Sequence, residues 1–365
     1  MNQKKLRQMG SCVKDALLFH GVLDTLIALV LGFAVGALAL AIAGYDPLSS
    51  YGKLLSVVFG SPRNLSYSFI EFATPYILTG LSVAFSFKTG IFNIVAEGQY
   101  VVGSVAAMLT GYFVHAPAVI HIPLCLLAAA AAGVLWGAIV GALKLWFGAN
   151  EILCMIMFNW IAYYLSNYVV NLKPVLSAPG KTWSHTIQDS AKITISQWSD
   201  TLSNKAHFGI ILAIIAAVII HYILNRTKLG FQLKAVGYNL NGAKFAGIKT
   251  EQTIMATLMI AGGLASLAGG IQVLGVTYKI SQFAGQEGYG FQGITVALIA
   301  ASNPIAVIFS GLFYGAMKFG GTRFDAPSEI VDIIMGCIVF FIAISGLIRA
   351  RIVKLKEVRQ EKCNK

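Results

Sequence analysis

The chain has 365 residues, 57% of them hydrophobic and only 12% charged, with 37 glycines and a formal net charge of +12. Soluble domains carry about twice that share of charged residues, so a water-soluble globule of this size would lack the polar surface to cover itself. The same figures exclude a disordered, collagen-like or disulfide-stapled chain and leave an all-α integral membrane protein.

Residues 1–21 form a basic amino-terminal segment, in which Lys4, Lys5 and Arg7 precede an apolar run ending in Ala39, Ala41 and Ala43. That run is longer than a signal-peptide core, so the reading is a retained helix. Stretches of roughly 20 apolar residues cross a bilayer. The sequence predicts them near 22–43, 66–85, 93–114, 120–143, 151–171, 207–224, 251–274, 289–300, 305–317 and 330–348, none containing Lys or Arg. This gives about ten transmembrane helices, or eight if the short pair 289–300 and 305–317 is re-entrant or broken. With the amino terminus placed in the cytoplasm, inner segments hold 18 of the basic residues and outer segments 9, over nearly equal lengths. That bias is the positive-inside pattern, with both termini cytoplasmic. It accounts for the net charge and excludes nucleic acid as a partner. The transmembrane domain is expected over 22–348, with an outer loop 172–206, an inner loop 226–250 and a basic cytoplasmic tail 349–365.

Small residues recur at i, i+4, i+8 in Ala28-Gly32-Gly36, in Gly133-Gly137-Gly141, and in Gly262-Ser266-Gly270 beside Ala261-Ala265-Gly269. Membrane helices associate through such faces, so these are expected to be packing seams. Catalytic signatures do not survive inspection. Gly288-x-Gly290-x-x-Gly293 has no strand around it, and Gly180-Lys181-Thr182 lacks the rest of a phosphate loop. Cys12, Cys125, Cys154, Cys337 and Cys363 lack metal spacing, and the six histidines have no nucleophile partner. No metal site and no catalytic residue are expected.

The acids within spans (Asp24, Glu71, Glu97, Glu151, Glu251 and Asp332) all lie within about six residues of a span end, where water or headgroups reach them. No midplane charge is left to couple transport to an ion, which argues against a self-contained secondary transporter or channel. Asn93 and Glu97, at i and i+4, are expected to share a face at the inner start of the third span and to anchor the loop before it. The string Glu97-Gly-Gln-Tyr-Val-Val-Gly103 has an echo in Glu287-Gly-Tyr-Gly-Phe-Gln-Gly293, three positions of seven, one entering from inside and the other from outside. An inverted-topology repeat produces this arrangement.

In the loop 227–248, Gly237 permits a turn, Asn239 can cap, Leu240 to Ala246 can form about two helical turns, and Gly247 suits the helix end. Leu240, Ala243 and Ala246 or Gly247 would make a small apolar face beside Lys244. Such a helix fits a groove in a cytoplasmic partner; the other reading is a positively charged inner loop with a capped turn.

This loop resembles the coupling region of permease subunits in bacterial ABC-type importers, in the group serving sugars, branched-chain amino acids and nucleosides. Lys88-Thr-Gly-Ile-Phe-Asn-Ile-Val-Ala-Glu-Gly-Gln99, Asn150-Glu-Ile152, Met157-Phe-Asn159, Ala261-Gly-Gly-Leu-Ala-Ser-Leu-Ala-Gly-Gly270 and Val331-Asp-Ile333 agree with it. Within the group, the long loop 172–206 and the basic amino terminus look like the larger of two permeases in purine-nucleoside importers. The segment 299–305 departs from the pattern in having fewer glycines. The resemblance implies a multi-pass permease of the bacterial cytoplasmic membrane that forms half of a translocation path for nucleosides. A simple sugar such as ribose is the alternative substrate. It also implies a second, related permease as partner, a cytoplasmic ABC ATPase that carries the ATP and Mg, and an extracytoplasmic binding protein, a lipoprotein in Gram-positive bacteria. This chain itself would hold no cofactor. Coupling to the ATPase falls on Gly237, Asn239, Leu240, Ala243, Lys244, Ala246 and Gly247. For the path, the amides and acid Asn93, Glu97, Gln99, Asn159 and Gln272 are the candidates, with the aromatics Phe92 and Trp160 beside them.

Overall fold

The computed structural model describes residues 27–195, 202–323, 327 and 329–344. The basic amino-terminal segment 1–21 and the tail 349–365 lie outside the described residues, as do Cys12 and Cys363. The described part is helical, and its few β contacts are isolated bridges. The helices are α1 (Ile27–Ile42), α2 (Pro47–Phe59), α3 (Pro62–Phe87), α4 (Ala96–Phe113), α5 (Ala118–Phe147), α6 (Glu151–Val170) and α7 (Gly209–Arg226). They continue as α8 (Lys228–Tyr238), α9 (Leu240–Phe245), α10 (Thr250–Thr277), α11 (Tyr289–Ile299), α12 (Pro304–Gly321) and α13 (residues 329–344).

Among the described residues six helices are long and apolar enough to cross a membrane, or seven when α1 and α2 count as one span. The ten spans expected from the sequence differ from these at three places. The helix at the third predicted span keeps 18 residues but starts at Ala96, after the non-helical stretch 88–95, and Glu97, Gln99 and its glycines make it less apolar than the others. The run at 289–300 yields only the 11-residue α11, and the predicted span 330–348 runs past Ile344 into residues outside the described ones. The run at 305–317, in contrast, belongs to an 18-residue helix, because Asn303 caps it, Pro304 opens it one residue before the run, and it continues to Gly321.

The chain divides into two compact units. In the smaller one, residues 27–53 pack with α13: Gly32 faces Ile338, Gly36 faces Ile334 and Tyr51, and the Tyr51 hydroxyl donates to the Phe33 carbonyl at 2.8 Å. The seam expected from Ala28-Gly32-Gly36 is therefore real. In the larger unit, Leu54–Arg323, α3 and α10 form the centre and are buried over most of their length. α5, α6 and α7 surround them and expose apolar side chains such as Leu127, Leu135, Tyr164, Ile215 and Ile219. An apolar surface that water would reject is what lipid solvates, so these helices face the bilayer.

The second seam also forms. Gly133 and Gly262 lie backbone to backbone, Gly137 lies on the Leu258 carbonyl, and Gly269 and Gly103 bring α4 against α10. Any Cβ at these points would strike a neighbouring main-chain atom. α10 is thus held by α4 and α5 through close contact of backbones, the arrangement that replaces hydrophobic driving force within lipid.

Residues 88–95, 226–250 and 300–303 gather at one end of this unit, here called the basic end. The segments 172–195, 202–208 and 278–288 gather at the other, the lashed end. There the Ser184 amide donates to Ile280, Ile187 to Tyr278, and the Gln188 side chain to the Tyr112 carbonyl.

Candidate functional site

α4 (18 residues) and α11 (11 residues) both start within the unit rather than at one of its ends and point their N-termini at each other, and in that sense are called half-helices. An α-helix leaves its first N–H groups without partners and concentrates partial positive charge there, so two facing N-termini repel. Glu97, in the first turn of α4, resolves this. Its Oε1 accepts from the Gly288 amide at 2.7 Å and its Oε2 from the Gly290 amide at 2.6 Å. The carboxylate therefore caps α11 from another helix, and α11 has no side-chain cap of its own. Gly290 sits directly on the Glu97 backbone, and Tyr100 stacks on Tyr289 with ring centroids 4.9 Å apart. The strings that echo each other in the sequence, 97–103 and 287–293, are the two strings in contact.

Two expectations change here. Glu97 is not within reach of water at a span end; it is 1% exposed, because α4 begins inside the protein. Nor do Asn93 and Glu97 share a helical face, since Asn93 precedes α4. Asn93 instead donates through Nδ2 to Ser82 Oγ at 3.0 Å and to Gln99 Oε1 at 3.2 Å. Asn159, from α6, fastens the start of α4: its Oδ1 accepts from the Gly98 amide at 2.7 Å and its Nδ2 donates to the Ile94 carbonyl at 3.0 Å. The structure thus joins Asn93, Glu97, Gln99 and Asn159 around one half-helix N-terminus. Phe92 and Trp160 are exposed and take no part.

Gln272 lies apart from that group, in the last turn before α10 changes to a wider π-helical turn over Val273–Thr277. It lines a cavity of about 660 Å³ toward the lashed end, together with Tyr100, Ser104, Lys205, Tyr278 and Glu287. That volume falls in the range of small-molecule sites, and its wall mixes aromatic faces, amide, hydroxyl and both signs of charge. Asn93 Oδ1, Gln99 Nε2 and Gln272 Oε1 are buried and find no hydrogen-bond partner among the described residues. Buried unpaired groups cost about 1–3 kcal/mol each, so one at the cavity wall, Gln272, and two beside the start of α4, Asn93 and Gln99, single these places out. Tyr278 and Glu287 carry no periodic signal, and only the folded return of 278–288 brings them to the wall.

At the basic end, α9 spans Leu240–Phe245, close to the two turns expected. Asn239 Oδ1 caps it through the Gly242 amide at 2.9 Å, and Gly247 follows in the left-handed region at φ 77°, where the missing Cβ avoids a clash. The apolar face is different from the one predicted. Ala243 is buried against its own chain, while Tyr238 and Phe245 are 90% and 96% exposed, with Leu240 half-exposed between them. Lys244, Ala246 and Gly247 are exposed as well. The outward aromatics were missed because the i, i+3 pattern counted Ala243, the one member of it that packs inward, as part of the outer face, and gave no weight to Tyr238 and Phe245. Gly237 is placed for contact, lying on the Lys88 carbonyl so that α8 meets the end of α3.

Residues 66–343 match the family described as branched-chain amino acid transport system / permease component. The chain belongs to this permease family. The match takes in both half-helices, the cavity and α8–α9. Guanosine ABC transporter permease protein NupP of Bacillus subtilis is 40% identical over 344 residues, 92% of this chain and 97% of its own length. A second guanosine ABC transporter permease protein of that organism, NupQ, is 28% identical over 72% of this chain and 81% of its own. Nucleoside ABC transporter permease protein NupB of Lactococcus lactis is 31% identical over 94% of this chain and 96% of its own. Glucose ABC transporter permease protein TsgB13 of Haloferax volcanii is 30% identical over 89% and 86%. No solved structure matches. A multi-pass permease is thus the setting in which the half-helices and the cavity operate.

Proposed function

We propose that this chain is one of two permease subunits in an ATP-driven importer of nucleosides in the bacterial cytoplasmic membrane. The observation that carries the reading is the pair of facing half-helices closed by Glu97 beside a polar and aromatic cavity. It is supported by the 40% identity to a guanosine permease along nearly the whole chain. The lashed end faces outward and receives the solute from a binding protein. The basic end faces the cytoplasm, and α9 with Tyr238 and Phe245 seats in an ABC ATPase that binds ATP and Mg. A nucleoside matches the cavity chemically: aromatic rings can cover the base, while Gln272, Ser104 and the charged groups can bond to ribose hydroxyls and base edges.

In this mechanism ATP binding draws the ATPase together, α9 moves with it, and α8 carries the displacement to the ends of α3 and α12. The clasp between Glu97 and α11 is the place where the barrier opens, since two hydrogen bonds there join elements from the two halves of the chain. The three unpaired amide atoms gain partners either from a passing solute or from the alternative packing. NupP and NupQ are two permeases named for the same solute, and both resemble this chain, which supports a second permease as the other half of the path.

Uptake of labelled guanosine in cells carrying the complete set of subunits tests the reading. Unlabelled purine nucleosides should compete and ribose or glucose should not. Competition by the sugars alone would transfer the reading to a sugar permease, which the similarity to TsgB13 favours as the second choice.

A further inference from the structure

A separate cavity of about 420 Å³ opens at the basic end, between the end of α3, the last turns of α7, the α8 helix and the start of α12. Its wall carries Lys88, Lys234, His221 and Asn225, closed by Asn303 and Pro304. No carboxylate lines it. Among the described residues neither Lys88 nor Lys234 has an acidic partner; the recorded ion pairs use Lys144, Lys192 and Lys205. Lys234 Nζ instead donates to Asn225 Oδ1 at 2.8 Å, and Asn225 is itself held by the His221 carbonyl at 2.9 Å.

The placement is fixed. Gly237 in α8 lies against the Lys88 carbonyl, so the backbones that present the two lysines touch. Both side chains are half-buried. Burial, and then repulsion from Lys234, hold the Lys88 ammonium below its ordinary range. Two like charges kept together in a partly dry site are costly unless an anion joins them. The fourth wall adds the same sign. Asn303 and Pro304 start an 18-residue helix whose N-terminal dipole points at the cavity, brought there by a turn with Ala301 and Ser302 at φ 47° and 55°. Non-glycine residues in that region are strained, and strain of this kind is retained where position matters.

We propose that this cavity binds a phosphate group, with Lys88 and Lys234 as the charge partners and Asn225 orienting Lys234. The phosphate belongs to an anionic lipid headgroup of the adjoining leaflet or to a soluble phosphate ester. The site is distinct from the cavity at the lashed end and does not depend on which solute the path carries. Its consequence is mechanical: a phosphate bridging α3, α7, α8 and α12 stiffens the support of α9.

The test uses the complete importer in nanodiscs and follows its melting temperature. One arm titrates inorganic phosphate into phosphatidylcholine discs against chloride at matched ionic strength. The other compares discs with and without phosphatidylglycerol. A saturable rise is expected in at least one arm, with the half-saturating concentration raised roughly tenfold by Lys88→Gln or Lys234→Gln, the loss of one charge-assisted hydrogen bond. A response in the lipid arm alone names the headgroup as the source, and one in the phosphate arm names the free anion. Should Lys88→Gln fail to assemble, Lys234→Gln and Asn225→Ala carry the measurement. A rise that is the same in the variants, or no saturable rise in either arm, overturns the proposal. The second of these would leave the lysines to an acidic side chain of the ATPase.

Discussion

A carboxylate between two helix N-termini meets two demands at once, since it offsets their facing dipoles and accepts the free N–H groups of α11. Each oxygen of Glu97 takes one amide, Gly288 or Gly290, so both acceptors are in use. Glu97→Gln keeps one acceptor and turns an NH₂ group toward the other amide, leaving one buried N–H unpaired at a cost of about 1–3 kcal/mol. Glu97→Leu leaves two. The expected order of uptake at equal membrane abundance is wild type, then Gln, then Leu, with melting temperatures in the same order. Wild-type uptake in both variants would remove Glu97 from the clasp's function. The importance of Glu97 was visible in the sequence, but its partner was not. The i, i+4 spacing to Asn93 suggested a shared face, which requires helix at both positions, and the helix begins only at Ala96. The departure noted at 299–305 was a sharper signal: where glycines were expected, Ala301 and Ser302 adopt left-handed backbone without them.

The short helix α9 shows how far local rules carry at the scale of an element. Capping by Asn239 and the left-handed Gly247 follow from the chemistry of those side chains, and the helix forms where they place it. Which face looks outward is decided by tertiary packing, and there Ala243 turns inward. Ala243→Arg would therefore disrupt the chain's own packing before it met any partner. The sharper variants are Phe245→Ala and Tyr238→Ala, because both side chains are almost fully exposed and their loss leaves the fold intact. If they seat in the ATPase, each should lower transport-coupled ATP hydrolysis and uptake by roughly tenfold or more, the effect of removing a buried aromatic anchor worth about 2 kcal/mol. The melting temperature of the importer and the binding protein's hold on its ligand should be unchanged. Normal hydrolysis and uptake in the double variant would show that α9 is only a capped turn. The same limit applies to the spans. Apolar length located the long helices, yet it also counted 93–114 and 289–300, whose helices begin at Ala96 and Tyr289 with their N-terminal ends meeting within the protein.

For the whole molecule, the two ends differ in chemistry as the charge bias requires. The inner segments 86–92, 225–250 and 301–304 meet at the basic end, with Lys88, Lys234 and the exposed Lys244 and Lys249. At the lashed end several lysines are occupied by aromatic rings: Lys181 and Lys279 flank Trp183 at 5.0 and 4.6 Å, and Lys192 lies over Tyr278 at 5.1 Å. A lysine held on a ring has a local electrostatic partner, so these add less to topology than free basic residues do. The basic end should therefore be cytoplasmic, and the facing half-helices enter from opposite sides. Single cysteines test this in intact cells with a membrane-impermeant thiol reagent, after the native cysteines are replaced by serine or alanine. Gly180→Cys, in the left-handed turn at φ 80° beside Lys181, carries some backbone strain, so Lys181→Cys is the better reporter of the lashed end. Phe245→Cys reports the basic end. Lys181→Cys should label from outside and Phe245→Cys only after permeabilisation. Labelling of Phe245→Cys in intact cells would reverse the molecule in the membrane. It would place α9 outside, where no ATPase could reach it, and the importer reading would fall with the topology.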